Sequence, residues 1–205
     1  MTKVLVRFLK PIHSFSSNTY LITSGGEYAV IDPSVPYSED LVFGKLKYVL
    51  LTHAHFDHML EIDSWVSAGG TVIISPEERL ALSDSDINCY KMFSGENRGY
   101  FGEAVALSDG DELFLGAEAV KIIGCPGHTA NGLSYYTDRM LFSGDNIFAG
   151  GGFGRWDLPG GNVTELKKTI SRLISLPEET KVYCGHGPST TIRDYALQYK
   201  KQRYF

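Results

Sequence analysis

The chain has 205 residues, 43% of them hydrophobic and 21% charged, a balance that suits one globular domain over residues 1–205 with a sizeable core. A net charge of −5, with no Lys/Arg cluster before Lys200-Lys201-Gln202-Arg203, argues against nucleic acid as a partner, and that short basic end reads as a frayed helix terminus. No apolar run has the length of a transmembrane helix and no basic-then-apolar leader opens the chain, so no membrane partner is expected; three cysteines without paired spacing fit a reduced, cytoplasmic setting.

Residues 3–8, 19–23 and 27–32 read as three early strands, with Gly25-Gly26 at a hairpin turn. His13 lies in a polar Ser/Asn-rich loop and reads as a solvated surface residue. Pro33 and Pro36 break the chain before a short helical stretch near residues 39–45. A strand over 48–52 then delivers the run His53-Ala54-His55-Phe56-Asp57-His58. A helix follows over 59–68 and stops at Gly69-Gly70. Residues 71–75 form another strand, and Pro76-Glu77-Glu78-Arg79 starts a helix with proline in its first turn. Residues 83–106 are rich in aromatics and lack a clean period. That segment is read equally as a cover over a pocket or as a packed connection remote from substrate.

The second half repeats this grammar. Strands are expected over 112–115 and 119–123, then 133–137 and 140–143 as a hairpin turning at Asp138-Arg139. A glycine-rich loop over 149–161 leads into a helix at 164–176, with Leu166, Ile170, Leu173 and Ile174 on one face. Residues 181–184 form the last inner strand, and a short helix at 192–199 ends the chain. Strands cluster within each half with helices between them, so the fold class is α/β, two sheets packed face to face with helices outside.

Neutral imidazole and carboxylate both offer lone pairs to a divalent cation, and histidine at this density makes poor core material. The run from His53 to His58 is therefore a candidate metal site. His128, Asp145 and His186 each follow an apolar run and sit at glycine-bounded turns, where side chains from distant parts of a chain can converge. Seven ligands are too many for one tetrahedral ion and suit two that share one. His53, His55 and His128 are assigned to the first ion, Asp57, His58 and His186 to the second, and Asp145 to a bridge. Zinc is the expected metal, with iron or manganese as alternatives. Zinc lowers the pKa of bound water to about 7, giving a hydroxide that attacks a carbonyl carbon, and Asp57 is the catalytic group that orients it. Cys125 and Cys184 lie near two of the histidines, with thiolate ligation as the alternative to their expected role as small buried hydrophobes.

H-x-H-x-D-H, the later G-H-T, the S-G-D and the final G-H-G resemble, in order, the motifs of the metallo-β-lactamase fold superfamily. That resemblance implies a four-layer αββα sandwich with a di-metal centre at one edge of the sheets, held by the seven residues above. A bridging aspartate such as Asp145 is foreign to the β-lactamases proper. The stretch from Gly150 to Gly161 and the segment Val182-Tyr183-Cys184-Gly185-His186-Gly187-Pro188 are similar to short bacterial type II glyoxalases, the hydroxyacylglutathione hydrolases, which implies a small-molecule thioester substrate. Those enzymes carry a C-terminal helical extension with basic residues for glutathione, and fewer than twenty residues follow Gly187 here. Arg155 is the remaining candidate for a substrate carboxylate, against a structural pairing with Asp157. Persulfide dioxygenases, related proteins with one iron held by a subset such as His53 or His55 with His128 and Asp145, are the first alternative. Lactonases and phosphodiesterases of the same fold are the others.

Overall fold

Apolar residues at alternate positions along single strands face two different cores in this protein, a computed structural model in which residues 3–42 and 44–202 are described. Strands β1 (Leu5–Leu9), β2 (Thr19–Ser24), β3 (Glu27–Ile31), β4 (Lys45–Leu50), β5 (Thr71–Ile74) and β6 (Val105–Ala106) make one sheet in sequence order. The second sheet contains β7 (Glu112–Leu115), β8 (Glu118–Cys125), β9 (Gly132–Thr137), β10 (Met140–Gly144), β11 (Lys181–Cys184) and β12 (Thr190–Thr191), again in sequence order. Both sheets are mixed. β3, β4, β5 and β6 pair in parallel, as do β10 and β11, and the remaining pairs are antiparallel.

Side chains of a strand alternate between faces, so a strand covered on both sides reads as a continuous apolar run. Tyr20, Ile22, Ile31, Leu50 and Ile73 of the first sheet meet Val120, Ile122, Leu133, Tyr135 and Phe142 of the second in the central layer. Their neighbours Leu21, Val30, Val49, Val72 and Ile74 point outward, beneath Ile62 and Trp65 of helix α1 (Ile62–Ser67). A five-residue helix α2 (Tyr90–Ser94) follows later on that side of the chain order. Outside the second sheet, α3 (Val163–Leu173) and α4 (Ile192–Lys201) bury Leu166, Ile170, Leu173, Ile192 and Tyr195 against Leu141, Val182 and Cys184. Each large side chain removed from water in this way contributes about 1.5–3 kcal/mol. The layers are thus helix, sheet, sheet, helix, as the motif resemblance implies. Among the described residues, no helix is long and apolar enough to cross a membrane.

Both hairpin turns form as the sequence predicts. Gly25 and Gly26, at φ of 58° and 79°, join β2 to β3, and Asp138 and Arg139, at 44° and 58°, join β9 to β10. Two residues at positive φ give the turn whose twist matches the flanking strands. Several other expectations are corrected. The helical stretch near 39–45 is only a 3-10 turn at Glu39–Leu41, because Lys45 and Leu46 already pair with β3; Phe43 lies outside the described residues. β4 accordingly begins before residue 48. The helix expected from Met59 shortens to α1, since Phe56–His58 forms a 3-10 turn that aims the ligands. The helix expected from Pro76 is absent. A succession of turns replaces it, and Glu78 is drawn inward to bind backbone amides of two other loops. Segment 83–106 contains α2 and β6, and the two-residue β12 had no sequence signal. α4 runs to Lys201, and Arg203 of the basic end lies outside the described residues. His13 is exposed and all three cysteines are free and buried, as expected.

Candidate metal centre

All seven predicted ligands come together at one end of the two sheets. β4 ends three residues before His53, β8 ends at Cys125 before His128, β10 before Asp145, and β11 before His186. β8 and β10 share a direction because both run antiparallel to β9, and β11 runs parallel to β10, so their carboxyl ends open on the same edge. His55 remains extended (φ −62°, ψ 140°) before the Phe56–His58 turn, and that bend brings the adjacent Asp57 and His58 to the same side. Glycine makes the close approach possible. A Cβ on Gly185 would lie 2.1 Å from Asp145 Oδ1, and one on Gly127, at φ +128°, would lie 2.1 Å from the Leu166 nitrogen.

The ligand atoms fall into the two predicted sets. His53 Nε2, His55 Nδ1 and His128 Nε2 form a triangle with sides of 3.0, 3.1 and 3.3 Å. A tetrahedral ion held at about 2.0–2.1 Å from each nitrogen places such atoms roughly 3.3–3.4 Å apart, close to that triangle. Asp57 Oδ2 lies 3.0 Å from His186 Nε2 and 3.7 Å from His58 Nε2. Asp145 sits between the sets, with Oδ1 3.3 Å from His58 Nε2 and Oδ2 3.7 Å from His128 Nε2 and 3.6 Å from His186 Nε2. His58 Nε2 and Asp145 Oδ1 are buried without hydrogen-bond partners, an arrangement that a bound cation satisfies. The residues fit divalent metal ions.

Three of the histidines are oriented from behind. Asp32 Oδ2 accepts from His58 Nδ1 at 2.9 Å and from the Thr52 hydroxyl at 2.8 Å. That hydroxyl in turn accepts from His53 Nδ1 at 3.0 Å. His128 Nδ1 donates to the Arg155 carbonyl at 2.5 Å. With its Nδ1 proton so engaged, each ring turns a lone pair on Nε2 toward the centre. His55 differs, presenting Nδ1 while its Nε2 is buried with no hydrogen-bond partner, so packing alone sets its orientation. Sequence reasoning missed Asp32, whose only local signal is a carboxylate between a strand end and Pro33. It also missed Glu78, which accepts from Ala54 N and Asn131 N and so ties the His53–His58 loop to the His128 loop. Asn18 was missed too; its side-chain amide donates to the Cys184 and Gly187 carbonyls on either side of His186.

Burial and neighbouring imidazoles hold His53 well below its ordinary pKa and His55 down to about 3, so both carry free lone pairs at neutral pH. Burial opposes charge on His58, yet Asp32, Asp145 and Asp57 around it raise its proton affinity well above the ordinary value. Asp145 would also be raised by burial, but His58 and His128 hold it well below the carboxylate range. Three carboxylates around one buried imidazole mark a place that calls for positive charge.

A cleft of about 310 Å³ opens above the ligands, with His55, Asp57, His128, Asp145 and His186 on its floor. Cys89 and Phe93 help to line it, so the 83–106 segment does form part of the wall. Arg155 lines it too, but its guanidinium makes two 2.9 Å hydrogen bonds to the Asp157 carboxylate. Cys125 and Cys184 stand outside the ligand groups, and burial pushes their thiols up to about 12 and about 11.

Comparison with known proteins agrees with this geometry. A probable metallo-hydrolase, YqgX of Bacillus subtilis, is 33% identical over 192 residues, covering 89% of this chain and 90% of that protein. A hydroxyacylglutathione hydrolase of Psychromonas ingrahamii is 34% identical over 140 residues, which are 67% of this chain but 46% of that enzyme, so the match spans about half of its length. Among solved structures, the BLEG-1 B3 metallo-β-lactamase superposes with a TM-score of 0.85 at 28% identity, covering 97% of this chain and 100% of that one. TTHA1623 in a di-iron-bound form gives 0.80 at 30% identity, covering 94% and 98%. ETHE1 from Myxococcus xanthus gives 0.73 at 27% identity, covering 95% and 83%. Residues 14–186 match the family model of the metallo-β-lactamase superfamily. With this fold, this set of histidines and carboxylates and these relatives, the chain belongs to the metallo-β-lactamase superfamily as a metal-dependent hydrolase.

Proposed function

We propose that the protein hydrolyses thioesters, in the manner of a type II glyoxalase. The observation that carries this reading is the composition of the cleft. Among the described residues, no lysine, tyrosine or unassigned histidine lines it to protonate a departing group. A thiolate, with a thiol pKa near 8.5, leaves without such help, whereas an alkoxide or amine needs a proton. Divalent ions in such a centre supply Lewis acidity and an activated water at neutral pH.

The chain's own residues supply the rest. Asp57 faces the cleft with Oδ2 3.0 Å from His186 Nε2, where the two would ligate one ion, and its other oxygen would orient the attacking water. His58 and the Asp57 carboxyl share charge, with Asp57 kept ionised by His58 and His186 against the effect of its burial. Asp145 holds the two ligand sets at a fixed separation, and Asp32 keeps the His58 ring from rotating.

The second set, Asp57, His58 and His186, has its ligand atoms within 4.8 Å of one another, which supports a place for a second ion; metal content separates this reading from the single iron of a persulfide dioxygenase. Zinc is the metal we propose, with iron next, the di-iron relative being the reason. The test is elemental analysis of the purified protein alongside a panel of a thioester, a lactone, a β-lactam and a phosphodiester. Two ions per chain with thioester turnover fastest is the expected result. One iron per chain with oxygen uptake on glutathione persulfide, or faster turnover of any other ester class, overturns it.

A further inference from the structure

Above its polar floor the cleft changes character. Its walls are Phe15 from the loop before β2, Phe56 from within the ligand run, Phe93 from α2, Phe148 and Phe153 from the loop after β10, and Leu158. These residues come from four separate stretches of chain and meet only here. The Phe56 ring packs on Tyr90 and Phe93 of α2 at centroid distances of 5.4 and 5.5 Å, so α2 is pinned to the ligand run. Phe148 lies edge-on to His186 at 6.2 Å, which carries the apolar wall down to the reactive floor. Phe15 and Phe93 stand at the rim, 65% and 53% exposed, with apolar surface that a bound group would remove from water.

Charge points the same way. Arg155 is the one cation lining the cleft among the described residues, and the Asp157 carboxylate engages the Nε–Nη2 edge of its guanidinium. Within α2, Lys91 is paired with Asp86, and after it Arg98 donates to the Leu60 carbonyl and stacks over Tyr90. A thiol bearing two carboxylates, as glutathione does, meets an aromatic wall with a single arginine that is already paired with Asp157, whereas an uncharged alkyl or aryl group meets a surface it can cover.

We infer that the cleft selects thioesters whose flanking group is apolar and uncharged, an alkyl or aryl chain, in preference to conjugates of glutathione. This rests on the thioesterase reading of the same centre, and the aromatic wall is the specificity element. Phe93 and Phe15 contact the distal part of the chain, and Phe56 and Phe148 the part next to the carbonyl.

Calorimetry on the metal-loaded protein with non-hydrolysable S-butyl, S-hexyl and S-octyl thioethers of N-acetylcysteamine, and the same series on glutathione, tests this. In the neutral series Kd falls about fourfold per methylene until the cleft is filled, and the neutral compounds bind at least as tightly as their glutathione counterparts. Phe93→Ala and Phe15→Ala, both at exposed positions, flatten that dependence on chain length. A series without chain-length dependence, or glutathione compounds binding tenfold or more tightly, overturns the inference. Turnover of the matching acyl thioesters by the same preparation separates the two claims. Chain-dependent binding without thioester hydrolysis supports the apolar cleft and sinks the thioesterase reading. Hydrolysis with chain-independent binding sinks the cleft proposal alone.

Discussion

The two ligand sets differ in how the protein encloses them. His53, His55 and His128 are buried, and the back of two of those rings is hydrogen-bonded to Thr52 and to the Arg155 carbonyl. In the second set His58 is equally buried and held by Asp32, but His186 has a side chain 38% exposed and stands beside the open cleft. His55 and His128 also reach the cleft floor but are themselves buried, and a buried, all-nitrogen set favours tight binding, whereas a set with a carboxylate and a part-exposed histidine favours exchange. The contrast predicts that an ion held with His186 exchanges faster than one held by His53, His55 and His128.

Three substitutions break or sharpen that contrast. The largest effect belongs to Asp145→Ala, because its two oxygens reach histidines of both sets. Both ions are then lost and thioester turnover falls to the background rate; a variant that keeps two ions per chain by elemental analysis, or full activity, refutes the two-metal assignment. His186→Ala comes next. It removes one ligand from the open set, so one ion per chain remains, and the faster phase of metal release to a chelator disappears while the slower phase is unchanged. Equal loss from both sets breaks the proposed asymmetry. The smallest effect is that of Asp32→Asn, which keeps the size of the side chain but weakens the charge-assisted bond to His58. Loss of such a supporting carboxylate lowers metal affinity or activity about 10–100-fold, read as a shift in metal affinity at the second set with the first set unaffected. A matched fall at both sets means that Asp32 acts through Thr52 and His53 as well.

The candidate ligands that the structure brings together were legible in the sequence because chemistry gives them away. Four sit in six consecutive residues, and the other three follow apolar strands at glycine turns. Their supporting residues were not, because an orienting hydrogen bond has no local pattern: Asp32 is 26 positions from His58, and Glu78 is 53 from Asn131. Glu78 also misled the reading of its own segment, where Pro76 and two glutamates look like the first turn of a helix, but the carboxylate serves loops elsewhere and the backbone follows it. Arg155 shows the same limit in another form. The side chain that suggested a substrate contact is paired with Asp157, and the part of the residue that serves the centre is its carbonyl.

The sequence by itself determined the periodicities that make two doubly covered sheets, the hairpin turns and which seven candidate ligands converge, since these depend on residue type and short-range spacing. Only the tertiary structure decided which imidazole nitrogen faces the centre, how open each ligand set is, and that five phenylalanines scattered from Phe15 to Phe153 line a single cleft. Those properties arise from contacts between residues tens of positions apart, where packing rather than local preference sets the geometry.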